Sequence, residues 1–196
     1  MANFSTLMQQ VRQCSLCQDN LPLLAKPILQ ASVNAKILIA GQAPGVKAHN
    51  SGVPFDDASG KRLRQWLGLN SEQFYNPELI AILPMGFCYP GKGKSGDLAP
   101  RPECAPAWRQ QLLDQISQIK LTVIIGQYAI KWHKPQFKGT VTAAVEQSLQ
   151  QLADDSDNNT LVLPHPSPRN NIWLKKHLWF EQQLLPLLQK KISQLI

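Results

Sequence analysis

Four short apolar runs, each next to a helical pattern, constrain the fold of this chain more than any other feature. They occupy residues 36–40, 79–83, 121–125 and 160–163, and are rich in Ile, Leu and Val. Continuous apolar runs of this length are typical of strands buried on both faces of a sheet. Strands that alternate with helices predict an α/β fold, in which helices cover a parallel sheet on both sides.

The remaining chain predicts helices and one long loop. Apolar residues recur at helical spacing at 3–14, 61–69, 107–119, 127–132 and 172–196, and Pro186 is expected to bend the last helix. The long loop is rich in Pro and Gly and runs from Pro84 to Pro106. A loop of this length in a compact domain is usually functional or disordered. The chain length of 196 residues suits one domain, so we predict a single domain over 1–196.

An excess of basic residues indicates a polyanionic partner. The chain has 20 Lys and Arg residues against 13 Asp and Glu residues, which gives a net charge of +7. Such a surface favours nucleic acid, although many basic proteins use charge only for solubility. No apolar stretch of 18 or more residues occurs, and residues 1–13 lack the pattern of a signal peptide. We therefore expect a cytoplasmic monomer without membrane association.

Two loops that follow predicted strands carry side chains suited to binding. The segment 41–45 reads Gly-Gln-Ala-Pro-Gly, and the segment 161–170 reads Leu-Val-Leu-Pro-His-Pro-Ser-Pro-Arg-Asn. Three prolines stiffen the second loop, so it can hold His165 still while its tip touches a partner. A rigid turn with an incidental histidine is the alternative. In α/β folds, binding loops lie at the carboxyl ends of the strands, where both segments are expected.

The order and separation of these two loops resemble the motifs of the uracil-DNA glycosylase superfamily. Its first motif follows the first strand, and its second is a His-Pro-Ser loop near the carboxyl end. The resemblance spans nearly the whole chain. It implies a three-layer α/β/α fold with a central four-stranded parallel sheet and DNA as the partner. It also implies hydrolysis of the N-glycosidic bond of uracil or another deaminated base, after the nucleotide has flipped out of the duplex.

The chain contains four cysteines whose spacing is typical of a metal-binding site. Cys14 and Cys17 are a Cys-x-x-Cys pair, and Cys88 and Cys104 lie in the long loop with fifteen residues between them. In a reducing compartment, this set favours metal binding over disulfides. Four thiolates suit zinc as well as an iron-sulfur cluster, and buried free thiols are a third possibility. The spacing resembles that of the iron-sulfur, family 4-like members of the superfamily, which implies one [4Fe-4S] cluster on all four.

The resemblance also implies roles for individual residues. His165 would stabilise the departing base, and Phe55 would stack on it. The contacts to the base would be completed by Gly41, Ala43 and Ser167. The contacts to DNA would come from Pro168, Arg169, Asn170, Lys92 and Lys94. A solvent-facing charge is the alternative for Arg169, and a flexible solvated loop for the two lysines.

Two positions depart from the family pattern. The iron-sulfur members carry a glutamate where this chain has Gln42, which can hold a water molecule but cannot take its proton. Asp56 or Asp57 could supply the missing carboxylate, or could cap the helix that follows. Pro84 falls where the family places an asparagine that reads the uracil edge. A relative that binds DNA or damaged bases without excision is therefore the alternative function.

Overall fold

The fold is built on a four-stranded parallel sheet with the strand order β2-β1-β5-β6. The computed structural model describes residues 3–94, 96–156 and 158–196. The strands are β1 (Ile37–Ala40), β2 (Ile80–Ile82), β3 (Lys92–Gly93), β4 (Gly96–Asp97), β5 (Leu121–Ile125) and β6 (Thr160–Leu163). Strands β3 and β4 form a separate antiparallel ribbon. The parallel four-stranded sheet confirms the α/β fold that the sequence predicts.

Helices cover both faces of this sheet. They are α1 (Phe4–Arg12), α2 (Val46–Ser51), α3 (Ala58–Leu67), α4 (Ser71–Phe74), α5 (Cys104–Gln115), α6 (Gln127–His133), α7 (Val141–Ala153), α8 (Asn171–Lys176) and α9 (Leu185–Ser193). Leu38 packs with α1 and α5 on one face, whereas its neighbours Ile37 and Ile39 pack with α3, α7 and α9 on the other. The alternation follows from the two-residue side-chain period of a strand, and it produces three layers.

The carboxyl-terminal helix differs from the prediction for 172–196. It is interrupted at His177, where α8 has ended, and a π-helical turn at Phe180–Leu184 precedes α9. Pro186 lies in the first turn of α9. The Leu185 N–H donates to the Phe180 carbonyl, so the π-helical turn runs directly into α9, and Pro186 follows this turn without an N–H of its own to donate. The interruption of the helix is at His177, before Pro186.

Two further regions differ from the sequence prediction. Helix α7 was not predicted, although Thr140 caps it by accepting a hydrogen bond from the Ala143 N–H at 3.1 Å. The predicted loop from Pro84 to Pro106 contains the β3–β4 ribbon and the start of α5. Among the described residues, no helix is both long enough and apolar enough to span a membrane.

Candidate functional site

A cavity of about 400 Å³ opens at the carboxyl ends of the sheet strands. The loop after β1 contributes Gly41, the segment after β2 contributes Pro84, and the loop after β6 contributes His165. Other predicted site residues that line the cavity are Gln42, Ala43, Phe55, Asp57, Ser167, Arg169 and Asn170. The parallel sheet brings these segments together because its strands all end at one edge.

Four of the predicted site residues do not line this cavity and are exposed: Asp56, Lys92, Lys94 and Pro168. Lys92 and Lys94 belong to the β3–β4 ribbon, which borders the cavity through Gly96 and Asp97. Pro168 lies beside Arg169 at the tip of the loop after β6. Asp56 and Pro168 are thus chain neighbours of lining residues, and Lys92 pairs with the lining residue Asp97 across the ribbon.

His165 lies in the cavity wall, and one of its ring nitrogens accepts a hydrogen bond from its own loop. Its Nδ1 accepts a hydrogen bond from the Ser167 N–H at 3.2 Å. Burial lowers the pKa of His165, and the nearby Arg169 lowers it further, whereas Asp57 and Asp97 act in the opposite direction. The lowered pKa favours the neutral imidazole, which then carries its proton on Nε2. The ring can donate one hydrogen bond to a group bound in the cavity.

The loop that carries His165 is held by side chains on both sides. The Asn170 amide donates to the His165 carbonyl at 2.7 Å, and Arg62 of α3 donates to the Ser167 carbonyl at 3.2 Å. The Ser167 hydroxyl accepts from the Arg169 N–H at 3.3 Å. These hydrogen bonds and the three prolines together hold the loop rigid. The tip of the loop, residues 168–169, is exposed. Asn170, which the resemblance assigns to DNA contact, stabilises the loop in this structure.

Phe55 projects into the cavity from a strained backbone position. Its φ angle is +55°, which side-chain-bearing residues rarely adopt. The Phe55 ring lies against Gly41, where an added Cβ would be 3.3 Å from the ring Cζ, and it packs edge-on against Phe74. The Phe55 carbonyl leaves no room at Gly60, where an added Cβ would collide with that oxygen. A glycine at position 60 is therefore needed to keep Phe55 in place.

Asp57 and Gln42 both take part in structural hydrogen bonds. The Asp57 carboxylate accepts from the Gly60 N–H at 2.8 Å and caps α3, so the capping interpretation holds for this residue. The Gln42 amide nitrogen donates to the Leu98 carbonyl at 2.8 Å. This bond ties the first motif to the segment that follows β4.

Two charged residues that sequence reasoning missed lie at or near the cavity. Asp97 of β4 lines it. Arg109 of α5 is fully buried and donates to the carbonyls of Leu83 and Pro84, the latter at 3.1 Å. Little in the sequence indicates either role, because Asp97 lies in a long Gly-rich loop and Arg109 lies on a helix where an exposed arginine is common.

His133 is the third partner of Arg109. Its Nε2 lies 2.8 Å from an Arg109 Nη2 and must accept, because a guanidinium only donates. Burial, and then the charge of Arg109, lower the pKa of His133 to about 4. Burial also lowers the pKa of Arg109 to about 9. Neutral His133 and charged Arg109 thus fix the chain after β2, where Pro84 enters the cavity wall.

All four cysteines line a second, smaller cavity between the amino terminus and the 84–106 segment. Trp108 donates from its indole nitrogen to the Cys14 sulfur at 3.2 Å, and the Phe87 N–H donates to the Cys104 sulfur at 3.3 Å. Burial is the largest cause of raised thiol pKa values, to about 11 for Cys88 and about 12 for Cys104. The mutual repulsion of the thiolates adds to both shifts.

The donor set in this cavity is chemically suited to a thiolate-bound group, because four cysteines converge from two distant segments. Among residues 3–94, 96–156 and 158–196, however, no group of three or more His, Cys, Asp or Glu side chains is placed to hold a metal ion. A tetrahedral zinc site needs all four sulfurs within about 2.3 Å of one ion. The described residues therefore bring four thiols to one cavity without forming a ready-made site for a single ion.

Comparison with known proteins identifies the family. Residues 29–189 match the sequence model of the uracil DNA glycosylase superfamily, and the chain belongs to that superfamily. A solution NMR structure of "a putative Uracil DNA glycosylase from Methanosarcina acetivorans" also matches. It shares 15% sequence identity with this chain, with a TM-score of 0.47, and the match covers 84% of this chain and 97% of the other.

Proposed function

We propose that this protein is a monofunctional DNA glycosylase that excises uracil or another deaminated base. The observation that carries the proposal is that His165 and Phe55 line one cavity, and that the Ser167 N–H occupies the His165 Nδ1 and leaves Nε2 as the donor position of the ring. A base in a duplex is out of reach, so the nucleotide would flip and its base would stack on the Phe55 ring. Rupture of the glycosidic bond leaves negative charge on the base, which a fixed donor stabilises.

The surroundings of the cavity support DNA as the ligand. The exposed 168–169 tip and the exposed Lys92 and Lys94 border the opening from two sides. Cationic side chains at these positions would contact phosphates, while the stiff tip would fill the space that the base vacates. The net charge of +7 favours the same partner.

Excision on defined substrates tests this proposal. Purified protein is incubated with oligonucleotides that contain uracil, hypoxanthine, xanthine or hydroxymethyluracil, and alkali then cleaves any abasic site. Strand cleavage at a lesion, absent from the undamaged oligonucleotide, is the expected result. Binding without cleavage of any substrate would favour the alternative, a non-excising relative. Pro84 favours that alternative, because it lines the cavity without a side-chain donor.

Affinity for DNA should fall steeply with salt, and Arg169→Ala should weaken it about equally on all sequences. Phosphate contacts release counterions and carry no base information, so loss of one contact should reduce the salt slope by about one. Fluorescence anisotropy at several salt concentrations measures both quantities. Lys190→Ala, an exposed change on α9 outside the cavity lining, is the matched control. A flat salt dependence would contradict the DNA-binding proposal.

We also propose that Cys14, Cys17, Cys88 and Cys104 hold a [4Fe-4S] cluster. The support is their spacing and their convergence on one cavity. When bound, the cluster would supply a cross-link between the amino terminus and the 84–106 segment, outside the His165 cavity, whose lining contains none of the four cysteines.

Anaerobically purified protein should therefore be brown and contain about four iron and four sulfide per chain. Cys88→Ala should lose iron and be cleaved faster by protease within 84–106, because the cross-link to the amino terminus is then broken. Ser15→Ala, which lies between two of the cysteines, should keep its iron. Colourless protein with stoichiometric zinc would replace the cluster with a zinc site, and unchanged proteolysis of Cys88→Ala would contradict a structural role.

A further inference from the structure

The β3–β4 ribbon places a carboxylate at the mouth of the His165 cavity. Asp97 lines this cavity and is exposed. An added Cβ on Gly45 would lie 3.3 Å from one Asp97 carboxylate oxygen and 4.0 Å from one of Asp57. Both carboxylates therefore approach the same point on the first-motif loop. Both also raise the pKa of His165 against the larger effect of burial, which is consistent with their proximity to its ring.

The two carboxylates differ in what they already bind. Asp57 is engaged as the cap of α3 through the Gly60 N–H. The Asp97 carboxylate accepts no hydrogen bond from a described residue. Of the two, Asp97 is free to accept a hydrogen bond from water or to face a developing positive charge.

Gln42 holds the part of the ribbon that carries Asp97. Its amide donates to the carbonyl of Leu98, the next residue. The Leu98 N–H donates to the Gly91 carbonyl at 2.8 Å, which closes the ribbon. On the other side, Gly96 lies directly against the Arg169 guanidinium, where an added Cβ would collide with it. These contacts fix Asp97 between the first motif and the His165 loop.

We infer that Asp97 supplies the catalytic carboxylate of the excision reaction and that Gln42 is a positioning residue for it. The inference rests on the proposed glycosylase function. A flipped base would occupy the cavity while its sugar and phosphates remain at the opening. The scissile bond would then lie at the mouth, beside Asp97, with the departing base near His165.

The chemistry balances without a co-reactant other than water. The bond from C1′ to the base nitrogen breaks, and its electron pair leaves with the base. Asp97 faces the positive charge that develops on the sugar and orients a water molecule. The water oxygen bonds to C1′, its proton passes to Asp97 and then to solvent, and the base anion takes a proton from solvent.

Single-turnover excision tests both residues. Asp97→Asn should slow excision by about tenfold to a hundredfold, the scale of losing one charge-assisted interaction. Asp114→Asn removes the same charge from an exposed position on α5 and should leave the rate unchanged. Gln42→Glu should also slow excision, because a carboxylate cannot donate to the Leu98 carbonyl. Faster excision by Gln42→Glu, or an unchanged rate for Asp97→Asn, would overturn the inference.

Binding of abasic-site analogues gives a measurement that does not depend on excision. The wild type should bind DNA with a cationic pyrrolidine analogue about tenfold more tightly than DNA with neutral tetrahydrofuran. Asp97→Asn should lose this preference. Asp57→Asn should largely keep it, and asparagine also preserves the helix cap.

The two failures are distinguishable. If the wild type excises nothing but its preference for the cation depends on Asp97, the proposed function fails while the placement of Asp97 is supported. If the preference depends on Asp57, or survives in Asp97→Asn, the assignment to Asp97 is wrong whether or not the wild type excises a base.

Discussion

His165→Ala is expected to lower the rate of single-turnover excision by roughly a hundredfold or more, the scale of losing one preorganised donor to developing charge. The loop bonds from Asn170 and Arg62 go to main-chain carbonyls, so they can persist in the variant. The expected loss is therefore in chemistry and not in folding. Quenched-flow measurement with enzyme in excess gives the rate directly. His177→Ala, in the aromatic cluster near α8, is the matched histidine control. Equal rates for the wild type and His165→Ala would contradict the assignment.

His165 also sets how stability and excision are expected to change with pH. The pKa of His165 is lowered, so its neutral form is favoured in the folded protein. Its contribution to stability is complete above the ordinary histidine pKa of about 6.5 and is lost as the pH falls through the lowered value. Protonation also adds a proton to Nδ1, which then opposes the Ser167 N–H. Excision should decline on the acid side, and an increase there would argue against a neutral donor.

Gly60→Ala is expected to lower the free energy of unfolding by about 3 kcal/mol, the upper part of the range for overpacking. The new methyl group would collide with the Phe55 carbonyl oxygen, which is main chain and cannot rotate away. Relief requires movement of Phe55 or of the first turn of α3, so base stacking should weaken as well. Urea unfolding measures the first effect, and affinity for lesion-containing DNA measures the second.

The expected loss of stability in Gly60→Ala is opposite in sign to the usual effect of replacing glycine by alanine in a helix. In an exposed helix interior, replacement of Gly by Ala stabilises by about 1 kcal/mol. A stabilised Gly60→Ala would therefore show that the approach of Phe55 is not tight. Lys61→Ala, at the exposed next position, should change stability by only a few tenths of a kcal/mol and is the matched control.

Local sequence was sufficient to predict the four strands of the parallel sheet. The runs at 121–125 and 160–163 became β5 and β6 with the same bounds, and the other two runs became β1 and β2 after small trims at their ends. Parallel strands buried on both faces must be apolar throughout, so a short window identifies them. The sequence did not reveal helix α7 because two of its three buried side chains, Ala144 and Ser148, are too small or too polar to mark an apolar face.

The sequence by itself determined the α/β class, the two motif loops and the set of four cysteines, because each depends on residue types at short spacing. Only the tertiary structure decided how the charged groups are used. Asp57 caps α3, Asp97 lies at the mouth of the cavity, and buried Arg109 is hydrogen-bonded to His133. These contacts join segments that are distant in sequence. Their distances depend on how loops close over the sheet edge, which no local pattern encodes.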